Sequence, residues 1–164
     1  MYRPYAITAA GALRVALSPH PLGGNDLQAE LTRVVADGYG HVASLLEPDE
    51  AADLLLSDEA AACARMGLRF HHLPVRDGSI PGFARYVAFM ESLAEALADG
   101  RGLLVHCRHG IGRSGMVAIG LLLHGGMPYG EAVENVAQAR GAMLPSTPPQ
   151  GRLLLAYARH VSQG

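Results

Sequence analysis

Lysine is absent from the chain: all 13 basic residues are arginine. That absence excludes chemistry built on a lysine ammonium, such as a Walker-type nucleotide site or a Schiff base. Cysteine is scarce. Cys63 and Cys107 are too few for a disulfide framework and have the wrong count and spacing for a zinc cluster, so a reducing, cytoplasmic setting and no metal are expected. Long hydrophobic runs are missing as well. The stretch Met116 to Leu123 is among the longest, far short of the roughly 20 residues that cross a bilayer, so no membrane partner is expected. The amino-terminal MYRPYAITAAGALRVAL is interrupted by Arg14 and lacks the apolar core of a signal peptide, and it reads as part of the fold. No sign of charge dominates. Fifteen acidic residues against 13 basic ones leave a formal charge of -2, with no excess positive field for a nucleic-acid backbone.

What is present is an ordinary globular composition, 49% apolar and 17% charged. At about 150 residues per domain, 164 residues predict one domain over 1–164, with a core large enough to need no staples. Tyr5 to Thr8 and Leu13 to Leu17, separated by Ala9-Ala10-Gly11, predict a hairpin or two edge strands. Asn25 or Asp26 is placed to cap a helix with Leu27, Leu31, Val34 and Val35 on one face, ending near Gly38. His41 to Leu46 reads as a strand covered on both faces. A helix from Asp58 to Met66 closes at Gly67, and Leu68 to Val75 resumes the strand pattern before the loop Arg76-Asp77-Gly78-Ser79. Phe83, Val87, Met90, Ala94 and Leu97 keep the helical period between Pro81 and Asp99, with Asp99 as the helix terminus before Gly100. Leu103 to Val105 is a buried strand, Met116 to Leu123 an apolar helix, and two further helices span Pro128 to Arg140 and Gln150 to Val161. The alternation predicts an α/β fold, a mainly parallel sheet of about 4–5 strands flanked by helices.

The segment between that buried strand and the apolar helix is His106-Cys107-Arg108-His109-Gly110-Ile111-Gly112-Arg113-Ser114-Gly115. Glycines at 110 and 112 let a loop curl so that successive backbone N–H groups point inward, forming an anion nest at the positive end of the following helix. Residues Arg108 to Arg113 would line a phosphate there. A cysteine at the floor of such a nest feels the same field, which lowers its pKa from about 8.5 and makes Cys107 a thiolate at neutral pH. Arg113 can return to the rim and offer two oxygens its planar fork.

These residues resemble the signature of the cysteine-based phosphatase superfamily, H-C-x-x-x-x-x-R-S/T, at every fixed position. The chain looks most like the small dual-specificity and kinase-associated phosphatases, from about Gly40 to the end. The larger tyrosine phosphatases carry a tryptophan beside their acid, and this chain has none. The resemblance implies a phosphocysteine mechanism without a cofactor, with Cys107 as nucleophile and Arg113 as phosphate clamp. Pro74-Val75-Arg76-Asp77-Gly78-Ser79-Ile80-Pro81 resembles the general-acid loop, which makes Asp77 the proton donor and later the base. Ser114 would hydrogen-bond the Cys107 sulfur as it departs, and His106 would fix the cysteine through its backbone. Thr147-Pro148-Pro149-Gln150 resembles the segment whose glutamine orients the attacking water, although an earlier glutamine common there is Ser146 here.

The implied substrate is a phosphorylated protein or peptide, chiefly phosphotyrosine with possible phosphoserine or phosphothreonine activity, and the product is inorganic phosphate. Inositol phosphates, phosphoinositides and an RNA 5′ end are the alternatives within the same chemistry. Lipid phosphatases of the family place lysines in the loop where this chain has Arg108, His109 and Ile111. A phosphate-binding pseudophosphatase would usually have lost the nucleophile, arginine or acid. Arg76 and Arg108 are either attractors for an anionic substrate or plain surface charges. Cys63 falls within a helix and reads as packing rather than a redox partner of Cys107. His71 and His72, adjacent on a strand, point to opposite faces and cannot chelate one ion.

Overall fold

The computed structural model describes residues 1–8 and 11–164; Ala9 and Ala10, in the expected turn between the first two strands, lie outside the described residues. The strands are β1 (Tyr5–Ala6), β2 (Val15–Ser18), β3 (Tyr39–Ser44), β4 (Arg69–His72) and β5 (Gly102–His106). They form one sheet in the order β1-β2-β5-β3-β4. The β1 to β2 pairing is antiparallel; the pairings β2 to β5, β5 to β3 and β3 to β4 are parallel. The helices are α1 (Leu27–Ala36), α2 (Pro48–Asp53), α3 (Glu59–Arg65), α4 (Phe83–Leu97), α5 (Gly112–His124), α6 (Tyr129–Arg140) and α7 (Pro148–Gln163).

Strand side chains alternate between two apolar layers, as the period of two requires. Leu17, Ala43, Leu103 and Val105 meet α4, α5, α6 and α7 on one face, while Ala16, Val42 and Leu104 meet α1 and α3 on the other. Helix α5 is buried from Arg113 through Leu123, and burying each of its large aliphatic side chains is worth about 1.5–3 kcal/mol. The sheet therefore gives β5 parallel neighbours on both sides and a buried helix directly after it. Its carboxyl end, where Ser18 and Ser44 pair with His106, is where the signature loop emerges.

Several expectations are adjusted. Val35 does not join the inward face of α1 and is 42% exposed. Adjacent helical residues differ by about 100°, and fully buried Val34 takes the inward position. Asp26 sits at the α1 N-cap without a side-chain cap bond, behind a 3₁₀ turn over Gly24–Asp26. Helix α5 starts at Gly112 rather than Met116, so the end of the signature is already its first turn. Strand β4 is shorter than the expected Leu68 to Val75. Helix α2 has no counterpart in the sequence reading.

Asp99 does more than end a helix. Its carboxylate accepts from His41 Nε2 at 2.9 Å and from the Arg101 backbone N–H and Nε at 2.9 and 3.0 Å. His41, fully buried, faces His71 Nε2 with its Nδ1 at 3.0 Å. The cluster ties β3, β4 and the α4 to β5 connection together. The Arg101 backbone N–H and His41 hold the Asp99 carboxyl well below the usual carboxylate range. Burial, with the His41 and Arg69 charges, pushes His71 down to about 4. His72 points away from this cluster and donates from Nε2 to the Leu46 carbonyl at 2.7 Å.

Candidate active site

The loop after β5 is built by fixing its carbonyls on the outside. His106 Nδ1 lies 3.1 Å from the Cys107 carbonyl. The His20 N–H donates to the Arg108 carbonyl at 3.2 Å, and the Gly115 N–H to the Ile111 carbonyl at 2.7 Å. Arg140 takes the two between, donating to the Gly110 carbonyl at 2.8 Å and the His109 carbonyl at 3.1 Å. In a planar trans peptide the C=O and the following N–H point opposite ways, so the N–H groups that follow these carbonyls turn inward. Gly110 adopts φ +69, and a β-carbon there would overlap the Ser18 carbonyl. Only glycine meets both requirements.

Cys107, 3% exposed, lies at the floor. Burial pushes its thiol up, but the Ser114 hydroxyl, the backbone N–H groups of Ser114 and Ile111 and the Arg113 charge outweigh it and leave the thiol below its ordinary value. The Ser114 hydroxyl is buried without another partner. Behind the cysteine, His106 Nε2 meets Glu59 Oε1 at 2.6 Å, both side chains being buried. Burial opposes charge on His106, yet Glu59 and the Cys107 carbonyl hold its pKa above the usual imidazole value. Both ring nitrogens face acceptors, an arrangement that favours the protonated imidazole beneath the Cys107 sulfur.

Arg113, from the first turn of α5, is 1% exposed. The fork expected at the rim is held instead by Glu50 of α2: Nη1 and Nη2 donate to its two carboxylate oxygens at 2.6 and 3.0 Å. Nη1 also donates to the Val75 carbonyl at 2.8 Å. Bonds from Arg113 hold the Glu50 carboxyl below its ordinary pKa. Buried Nε has no partner, and an unsatisfied buried donor is costly. The edge formed by Nε and Nη2 is thus the part of the guanidinium left for an anion.

Asp77, 68% exposed, lies 3.6 Å from Arg113 Nη2. Gln150, 1% exposed, enters α7 behind the Thr147 N-cap, and its Oε1 accepts from the Ser146 N–H at 3.2 Å. Asp77, Cys107, His109, Ile111, Gly112, Arg113, Ser146, Thr147 and Gln150 share the walls of one cavity of about 180 Å³ with Gly78. Arg108 and Gly110 belong to the loop but not to that wall, and His106 lies beneath it. A larger groove of about 460 Å³ beside α1 and α3 contains none of these residues; its size does not make it the site. Among the described residues no cluster of three His, Cys, Asp or Glu side chains is arranged to hold a metal ion. Cys63 packs in the α1 and α3 layer and Cys107 in the other; burial and Glu59 push the Cys63 thiol up to about 12.

Sequence reasoning missed Glu50, Glu59 and Arg140. For Glu50 a signal existed: Glu47-Pro48-Asp49-Glu50 has proline at the first helical position and a glutamate two residues later. The structure closes it into a capping box, the pattern of a helix start.

The five-stranded, mainly parallel sheet has the fold of solved phosphatase structures, and the family model sets the class as that of the dual-specificity phosphatases. The chain belongs to the Tc-R-P family, described as "Polymorphic toxin system, DSP-PTPase phosphatase", whose model matches residues 20–127. Cyclin-dependent kinase inhibitor 3 of Rattus norvegicus is 36% identical over 78 residues, 46% of this chain and 37% of that protein. The matched stretch thus spans little over a third of that relative. Among solved structures, a kinase-associated phosphatase with serine in place of its catalytic cysteine superposes with a TM-score of 0.84 at 20% identity, over 99% of this chain and 97% of that one. Tk-PTP in its active form gives a TM-score of 0.73 at 27% identity, over 89% and 92%. PTPMT1 in complex with PI(5)P gives 0.77 at 20% identity, over 94% and 95%.

Proposed function

We propose that the protein hydrolyses phosphate monoesters through a phosphocysteine, acting on phosphotyrosine in proteins or peptides and also on phosphoserine and phosphothreonine. The observation that carries this reading is the Cys107 sulfur on the floor of an inward-facing N–H nest, with the free edge of Arg113 beside it. Cys107 Sγ attacks phosphorus, the S–P bond forms and the P–O bond to the leaving group breaks. Asp77 gives that oxygen its proton, since an unprotonated alkoxide leaves poorly. Water held by Gln150 then attacks phosphorus, Asp77 takes its proton, and the S–P bond breaks to release phosphate. Ser114 donates to the departing sulfur. The inward N–H groups of the loop and Arg113 stabilise charge on the transferred oxygens throughout.

Absence of lysine from the loop, where Arg108, His109 and Ile111 stand, supports protein over lipid substrates. No helix among the described residues is long and apolar enough to cross a membrane. The test is hydrolysis of para-nitrophenyl phosphate, phosphotyrosine and phosphothreonine peptides, inositol phosphates and phosphoinositide vesicles, with Cys107→Ser as the blank. Turnover of the phosphopeptides, abolished in the blank, is expected. Turnover confined to inositol phosphates or vesicles overturns the protein-substrate assignment, and phosphate binding without turnover of any substrate overturns catalysis.

A further inference from the structure

Two peptide planes of the nest are held by a side chain far outside the signature. Arg140, the last residue of α6, reaches the Gly110 carbonyl with Nε at 2.8 Å and the His109 carbonyl with an Nη at 3.1 Å. Its guanidinium lies over the Tyr5 ring of β1, 4.0 Å from the centroid, and Arg3 lies 5.3 Å from the same centroid. Gly141, in the left-handed conformation at φ 70, ends the helix and leaves Arg140 at its edge.

The consequence follows from peptide geometry. The Gly110 carbonyl shares its plane with the Ile111 N–H, which faces the Cys107 sulfur; the His109 carbonyl shares its plane with the Gly110 N–H. Glycine at 110 has no side chain to fix the two flanking peptide planes, so the Arg140 bonds to both carbonyls hold their orientation. A guanidinium spans two acceptors rigidly, where an ammonium is a point charge. A cation bonded to a carbonyl also polarises the peptide and strengthens the N–H at its other end.

We propose that Arg140, seated on Tyr5, is a positioning residue for the phosphate loop, fixing the two peptide planes that present the Gly110 and Ile111 N–H groups to the phosphoryl group. This rests on the reading of the loop as a phosphate site. It also gives β1 a task at the site, because Tyr5 holds the arginine flat.

The experiment compares the full chain with Arg140→Ala, Arg140→Lys and Tyr5→Ala. Calorimetry gives the affinity for inorganic phosphate, the rate of iodoacetamide alkylation of Cys107 against pH gives the thiol midpoint, and thermal melting reports the fold. Arg140→Ala is expected to weaken phosphate binding about tenfold or more, the scale of one charge-assisted hydrogen bond, and to raise the alkylation midpoint. Arg140→Lys and Tyr5→Ala move both readouts the same way by less. A purely structural arginine would lower the melting temperature and leave both readouts at wild-type values, and that result overturns the inference. If Arg140→Ala does not fold, wild-type phosphate affinity in the other two variants overturns it equally. Failure of the wild type to bind phosphate removes the phosphate-site reading itself, and the inference with it.

Discussion

Cys107 owes its depressed thiol pKa to groups that arrive from different parts of the chain. Ser114 and Ile111 are its neighbours in the loop, and the Arg113 charge adds to them. Behind the cysteine, His106 is paired with Glu59 Oε1 at 2.6 Å, which favours its protonated form. The folded pKa of His106 is raised, so the pair stabilises the fold fully below the unfolded value of about 6.5, and that share is lost as pH rises through the higher folded value. Glu59→Gln leaves His106 without its counter-charge. The variant is expected to alkylate at Cys107 with a midpoint above that of the wild type, and to lose more melting temperature near pH 6 than near pH 9. An unchanged midpoint would mean that the imidazolium does not act on the thiol.

At the scale of elements, α5 does two jobs: its first turn carries Arg113 and Ser114, and the rest fills the centre of the core. The packing is tight where it crosses α4. Tyr86, fully buried, donates its hydroxyl to the Met116 carbonyl at 2.8 Å, and a β-carbon at Gly120 would overlap that hydroxyl. Gly120→Ala gains about 1 kcal/mol of helix propensity against an overpacking cost of about 1–3 kcal/mol. It is expected to lower the melting temperature by calorimetry; a higher one would show that Tyr86 can move aside. The larger elements were legible from their apolar patterns: α4 follows from its helical spacing and Gly100, β5 from its short apolar run, and α5 from Met116 onward, its first turn being hidden in the signature. Helix α2 was not, because six residues reading PDEAAD carry no apolar stripe. The signature residues were legible for another reason. His106 to Ser114 are contiguous, so their chemistry can be read from letters. Glu50 lies 63 positions from its partner Arg113 and Glu59 47 from His106; a glutamate in a short helix looks like surface charge until the fold brings it to its cation. Arg140 ended a predicted helix, with nothing in the sequence to join it to Gly110.

Across the whole molecule, the two ends of the parallel strands are specialised. The carboxyl ends of β5 and β3 present the loop and α2. The opposite side of the sheet is tied by Asp99, His41 and His71, which read in the sequence only as a helix terminus and two strand histidines. Burial holds His71 at about 4, below its unfolded value of about 6.5. Between these values the unfolded chain binds a proton that the folded chain refuses, so this contribution to stability is complete above about pH 6.5 and falls as pH drops toward 4. Urea unfolding across that window is expected to show the decline in the wild type and a shallower one in His71→Gln. Equal slopes would assign the acid sensitivity to other groups.

In the proposed mechanism the phosphoryl group passes through Cys107. Ser114→Ala should slow departure of the sulfur, so rapid quenching of that variant during turnover of a phosphotyrosine peptide, followed by mass spectrometry, tests it most directly. A phosphoryl group is expected on the peptide containing Cys107, accumulating in a burst, with no label in Cys107→Ser. Sustained turnover with no phosphoryl group on Cys107, or with the label on another residue, would contradict it.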